Sequence, residues 1–298
     1  MKKIEITKIL VPVDFSEHSD VAVSNAVTLA RLLNADLFLI HVIEFNGYHF
    51  SMTPETDIIY PPLMELKTVV EKKLDKMRSD IKKRFGILSK IYIASGLIHT
   101  EIIDYSKKKK IDLIVMGTHG VSGYKELFTG SNAQRVVTLS EVPVLTLQKN
   151  ARALRFKNIL IPIDNSLHSR EKVNLAMIIA NVFGSKIHIV GLPPSKDKLD
   201  LNRFKIKCES VEKIVHADKL PCKTTIAGGE NLAAAALRYA SKNKCSLIVI
   251  NTGHESKSTG IFLGGFAQQI VNHSKVPVLS FKHSEGHYSI DTPGFGIS

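Results

Sequence analysis

The sequence predicts an α/β protein written twice, as two tandem domains, each a five-stranded parallel sheet with helices on both faces. Three observations predict it. First, the chain repeats itself. "ILVPVDFSEHS" (Ile9 to Ser19) returns as "ILIPIDNSLHS" (Ile159 to Ser169), 150 residues on, with seven of 11 positions identical. "DLIVMGTHG" returns as "SLIVINTGH" and "SEVPVLTLQK" as "SKVPVLSFK", both 134 residues on. Such self-similarity marks a duplicated unit. Second, each copy alternates continuous apolar, β-branched runs with helical patterns, the signature of strands buried on both faces. Third, a glycine-rich stretch follows the fourth apolar run, where such sheets place their ligands.

Within the first copy the strands are "KILVPVD", "DLFLIHVI", "KIYIAS", "DLIVMG" and "VPVLTL". The helices between them are "SDVAVSNAVTLARLLN", Leu63 to Phe85, "HTEIIDYSKKKK" and "SNAQRVVTLS". Ser16 or Ser19 suits the N-cap of the first helix. The run Lys107 to Lys110 suits a solvated helix C-terminus, where cations complement the dipole. Five strands alternating with four helices imply a parallel, doubly wound sheet. The 16-residue difference between the two offsets places a deletion in the second copy. Its counterpart is the segment Glu44 to Pro62, replaced by the shorter "PPSKDK" region. The expected domains are 1–150 and 151–283, followed by a flexible tail, 284–298, without periodicity.

Composition narrows the function. The chain of 298 residues is 44% hydrophobic and 23% charged, as globular proteins are. No apolar run approaches the length of a bilayer span, and the N-terminus makes a poor signal peptide, so a cytoplasmic protein without membrane contact is expected. The three cysteines, Cys208, Cys222 and Cys245, lack C-x-x-C spacing, which argues against disulfides and against a zinc site. The net charge of +12 is uneven, +3 in residues 1–150 and +9 in 151–298. Anionic partners are favoured, but no basic helix with interleaved aromatics and no zinc-finger spacing points to nucleic acid.

The stretch "VMGTHGVSGYKELFTGSN" carries the chemistry. Gly117, Gly120, Gly130 and Ser131 fit the spacing G-x2-G-x9-G-S. Glycine after a buried strand permits positive φ and lets backbone N–H groups approach a ligand. Gly130, Ser131 and Asn132 then open a helix, whose N-terminus suits phosphate. The plainer reading is a tight strand-to-helix connection. Asp14 ends the first strand and so flanks the same crevice, or it caps the following helix. His119 lies beside Gly120 and suits a loop-shaping role better than acid–base catalysis. His18 and His168 recur in both copies, with a structural place near the helix start.

Together, "ILVPVDFSE", "LIHVIE", "DLIVMGTHG", "GSNAQRVV" and "VPVLTL" resemble the universal stress protein family in its tandem-domain, ATP-binding form. The resemblance runs to about Lys282. It implies a Rossmann-like fold of the adenine nucleotide alpha hydrolase-like kind and a bound ATP, with Mg²⁺ as a common companion. On that match Asp14 and the Val42 backbone recognise adenine and ribose. Gly117, Gly120, Gly130, Ser131 and Asn132 hold the phosphates, and Pro12, Met116 and His119 line the pocket. One carboxylate is too little to specify a dedicated metal site, and no catalytic residue is assigned.

The second copy departs from the motif. Gly117 becomes Asn251, Gly120 becomes His254 and Ser131 becomes Gly265, while Gly264 keeps the place of Gly130. Asp164 keeps that of Asp14, and Leu192 stands for Val42. One nucleotide per chain is the expectation, with the second copy as a pseudo-dimeric partner. The sequence has no Walker A lysine, no nucleophile elbow and no acidic set of the receiver type. A regulatory nucleotide binder is expected rather than an efficient enzyme. Slow ATP hydrolysis, or a small-ligand or lipid binder with the apolar insert as a lid, are the alternatives. The final strand of each copy would leave a sheet edge that seeks a partner, in this chain or in a homodimer.

Overall fold

The computed structural model describes residues 5–44, 63–117, 132–148, 151, 154–164, 171–228, 231–252 and 263–282. The first copy runs β1 (Lys8–Pro12), α1 (Glu17–Leu33), β2 (Asp36–Glu44), α2 (Leu63–Phe85), β3 (Ser89–Gly96), α3 (Ile98–Lys109), β4 (Leu113–Gly117), α4 (Asn132–Leu139) and β5 (Val144–Leu147). The second runs β6 (Asn158–Ile163), α5 (Glu171–Phe183), β7 (Lys186–Gly191), α6 (Lys198–Ala217), β8 (Cys222–Ile226), α7 (Leu232–Lys242), β9 (Leu247–Asn251), α8 (Gly265–His273) and β10 (Val278–Phe281).

All ten strands join one sheet in the order β3-β2-β1-β4-β5-β10-β9-β6-β7-β8. Within each copy the pairing is parallel. The order doubles back between β1 and β4, and again between β6 and β9, so each copy has its own switch point. The copies meet through β5 and β10, which pair antiparallel with Leu279 opposite Leu145. The two edges expected to seek partners are therefore each other's partner. This antiparallel join points the strand ends of the two copies in opposite directions, so their crevices lie at opposite ends of the sheet.

The apolar runs read as doubly buried strands because both faces are covered. Ile9 and Val11 pack with α1, while Leu10 and Ile114 pack with α3 and α4. One apolar layer unites α1, α2, α5 and α6, and the other unites α3, α4, α7 and α8. Two features tie the copies beyond the strand pair. The Leu154 N–H donates to Asn25 Oδ1 at 2.9 Å. Gln148 Nε2 donates to the Val276 carbonyl at 2.9 Å.

Local signals behave as their chemistry requires. Ser16 is the N-cap of α1, accepting from the Ser19 N–H. Lys107, Lys108 and Lys109 end α3, and Lys110 closes it in the left-handed conformation. Among the described residues no helix is long and apolar enough to cross a membrane.

Candidate functional site

The first crevice is built at the carboxyl ends of β1, β2 and β4. Asp14 follows β1, is exposed, and accepts the Ser16 N–H at 2.9 Å through Oδ1. It thus holds the N-cap residue rather than capping α1 itself. Phe15 next to it adopts φ +62, a left-handed conformation that costs a bulky side chain roughly 1–2 kcal/mol. The Phe15 ring stacks on His41 at 4.8 Å, and Lys73 Nζ stands 5.1 Å from its centroid. Gly117 ends β4 with an ordinary negative-φ backbone. A Cβ there would lie 2.6 Å from the His18 carbonyl oxygen, so glycine is needed for the close approach of α1 and not for positive φ.

The pairing of β1 with β2 stops at Pro12 opposite Ile40, where the Val13 N–H donates to the Ile40 carbonyl at 2.8 Å. Along a strand the backbone groups alternate sides. Those of Ile40 face β1, so those of Val42 face the same way, past the end of β1. The next rung, from the Val42 N–H to the Val13 carbonyl, is not made. That carbonyl instead lies 2.6 Å from His41 Nδ1, which places the imidazole proton on Nδ1. Burial lowers the His41 pKa, opposed by the Val13 hydrogen bond and by Asp14. Among the described residues nothing accepts the Val42 N–H.

The second crevice starts from the same strand and closes. The Leu192 N–H donates to the Ile163 carbonyl at 2.8 Å, the rung missing from the first copy. Gly191 stands where His41 does, and its Cα faces Ile226 and Cys208 so closely that a Cβ would meet them at 2.6 and 2.8 Å. Lys172 occupies the position of Ala22. It is fully buried, and its Nζ donates to the Pro162 carbonyl at 2.8 Å and stands 3.5 Å from Asp164 Oδ1. Burial lowers the Lys172 pKa, and the Asp164 carboxylate opposes that. An ammonium therefore sits beside the carboxylate that matches Asp14. Asn251 carries a buried side chain where Gly117 has none.

A universal stress protein family model matches residues 5–148 and 155–282. The chain belongs to the universal stress protein family. Relatives include YxiE of Bacillus subtilis, 34% identical over 47% of this chain and 98% of its own. A universal stress protein of Methanocaldococcus jannaschii is 31% identical over 48% of this chain and 82% of its own. A universal stress protein structure from Archaeoglobus fulgidus covers 95% of this chain and 99% of its own, with TM-score 0.75 at 21% identity, a likeness of fold. These two curated relatives each match about half of the chain, as single copies would.

In this family member the structure gathers Pro12, Asp14, Val42, Met116 and Gly117 at one set of strand ends, with Met116 buried and Pro12 half-buried. Asn132 begins α4, as the motif expects. His119, Gly120, Gly130 and Ser131 lie outside the described residues, as do His168, His254, most of the Glu44–Pro62 insert and the tail. Sequence reasoning missed Phe15, His41 and Lys172. One signal for Phe15 was present, because the second copy has Asn165 there, a residue type that tolerates the left-handed conformation. The Ala22 to Lys172 exchange was visible in the repeat, but lysine in a helix reads as solvated.

Proposed function

We propose that the chain is a nucleotide-binding regulator that holds ATP in its first copy and signals through nucleotide-dependent contacts with another protein. The observation that carries the reading is the open rung at Val42. Adenine presents an acceptor nitrogen beside an amino donor, which complements the N–H and C=O of a single residue. A half-buried N–H without an acceptor forfeits part of the roughly 1–3 kcal/mol that full burial would cost, and a base edge would recover it. The exposed Asp14 carboxylate stands at the end of the neighbouring strand, where a ribose hydroxyl pair suits an acidic acceptor. The start of α4 at Asn132 supplies N–H groups and partial positive charge for phosphates. Mg²⁺ would travel with the triphosphate.

The protein would work in the reducing cytoplasm, where its three free cysteines stay thiols. The second copy would act as a built-in dimer partner, since β10 covers the β5 edge. Any further homodimer would have to use other surfaces.

Equilibrium dialysis of ATP against the full chain tests this reading. Saturable binding that Asp14→Ala weakens by at least about tenfold, roughly 1.4 kcal/mol, supports it. Binding unchanged in that variant, or no binding with Mg²⁺ present, contradicts it. Asp14 is exposed, so the variant keeps its fold.

A further inference from the structure

At the outer edge of the sheet, at the amino end of β8 and so opposite the strand ends that form the second crevice, three side chains of metal-ligating type converge. Glu212 and His216 lie four residues apart on α6 and therefore share a face. Cys222 opens β8, the edge strand of the second copy. The His216 Nε2 is 3.7 Å from Glu212 Oε1. The Cys222 Sγ is 3.5 Å from His216 Nε2 and 3.9 Å from Glu212 Oε1. We propose that Glu212, His216 and Cys222 form a zinc site with three protein ligands and one position open to solvent.

The distances carry the inference. Zinc binds thiolate at about 2.3 Å, imidazole at about 2.0–2.1 Å and carboxylate at about 2.0–2.2 Å, in tetrahedral geometry. Donors at those radii stand roughly 3.3–3.6 Å apart, so the triangle needs to contract by only a few tenths of an ångström. Mixed sulfur, nitrogen and oxygen donors suit zinc and disfavour magnesium or calcium, which take oxygen sets.

The backbone holds the three donors in place. Val211 and Val215 bury the inner face of α6. The turn from α6 to β8 is fixed by the Lys219 N–H donating to the His216 carbonyl at 2.9 Å and by Lys219 at φ 59. Leu220 is buried, and Asn181 Nδ2 donates to Asp218 Oδ2 at 2.7 Å, tying the turn to α5. Cys222 itself is locked opposite Ile187 in the β7 ladder.

Access and charge agree with a site that loads from solution. The His216 and Glu212 side chains are 60% and 32% exposed, which leaves a path for the ion and room for water in the fourth position. The Glu212 carboxylate and the Cys222 thiolate, its proton released to solvent on binding, would offset the charge of the ion. The cysteine spacing hid the site, because its ligands come from the E-x3-H turn of a helix and a strand that returns six residues later. A lone helical Glu–His pair with a thiol nearby by chance is the competing account.

Cobalt(II), followed by zinc, tests the proposal on the full chain in a non-thiol reductant. The expected result is one equivalent of cobalt with a thiolate-to-metal charge-transfer band and tetrahedral visible bands, displaced by zinc. Cys222→Ser should abolish the charge-transfer band, and His216→Ala and Glu212→Gln should each weaken binding by at least about tenfold. Zinc should raise the Tm of the parent chain and not of Cys222→Ser. The two other cysteines are buried, with thiols pushed up to about 11, and should give no band. No charge-transfer band at saturating cobalt, or the same band in Cys222→Ser, overturns the proposal. So does undiminished affinity in His216→Ala. These substitutions lie at the surface edge, and unchanged circular dichroism of each variant secures the comparison.

Discussion

In the first crevice the Val42 N–H meets no acceptor among the described residues, and the Val13 carbonyl is held by a histidine side chain. In the second, the matching N–H of Leu192 is bound to Ile163, and a buried lysine lies against Pro162 and Asp164. Both start from strands of closely similar sequence, so the difference comes from a few substitutions rather than from the fold. His41 to Gly191 lets the ladder close by one rung. Ala22 to Lys172 then places the chain's own cation beside the carboxylate. The duplication preserved a scaffold and let the second copy close a rung that the first leaves unmade.

The sharpest way to break the comparison is to move the lysine. Ala22 is fully buried at the position of Lys172. Ala22→Lys should place an ammonium against the Pro12 carbonyl and Asp14 and lower ATP affinity by at least about 100-fold, near 3 kcal/mol. Calorimetric titration that shows parent-like affinity in a folded variant would remove the plug from the account. Next in size is Asp164→Asn, which strands a buried cation. A loss of roughly 3 kcal/mol is expected, lowering the Tm by about 6–10 °C. Lys172→Met should cost less, since it removes the buried amine with its desolvation cost and the carboxylate it leaves behind is partly exposed. Equal losses in the two variants would mean that the pair itself stabilises the fold.

A smaller effect should follow from His41→Leu, which releases the Val13 carbonyl to the Val42 N–H. ATP affinity should fall about tenfold as the rung closes, the worth of about one hydrogen bond. Hydrogen exchange at Val42 should slow in the free variant, and unchanged exchange would show that His41 does not keep the rung open. The smallest effect is on pH dependence. Burial lowers the pKa of His188, whose ring contacts Tyr239 and Asn158, and Lys186 and Lys223 add to the shift. The unfolded chain then protonates this group first, so stability falls as pH drops from about 6.5 towards the depressed value. His188→Asn should flatten that slope in denaturant titrations and not abolish it, because His41 and His99 are shifted in the same direction.

Much of this architecture was legible in the sequence. The bounds of α2 are those its pattern predicts, and the cap at Ser16 and the cationic end of α3 follow from their chemistry. These are local effects, and periodicity records them. That the second copy covers the sheet edge of the first was foreseen, but not that β10 and β5 pair antiparallel, because an apolar edge does not name its partner strand. Asp14 and Gly117 come to the same set of strand ends that the alternating pattern predicts, although Gly117 serves the approach of α1 rather than a positive φ. The rest depends on where long side chains end. Nothing in the pattern says that the His41 ring reaches a carbonyl, that Lys172 turns inward, or that Cys222 meets a helix turn.

The most direct test of the account is the number of nucleotides held by each chain. The purified protein, saturated with ATP and Mg²⁺ and freed of excess, would be denatured and the released adenine nucleotide counted by chromatography. One per chain, falling to none in Ala22→Lys, is the predicted result. Two per chain would contradict the closed second crevice, and none would contradict the open first one.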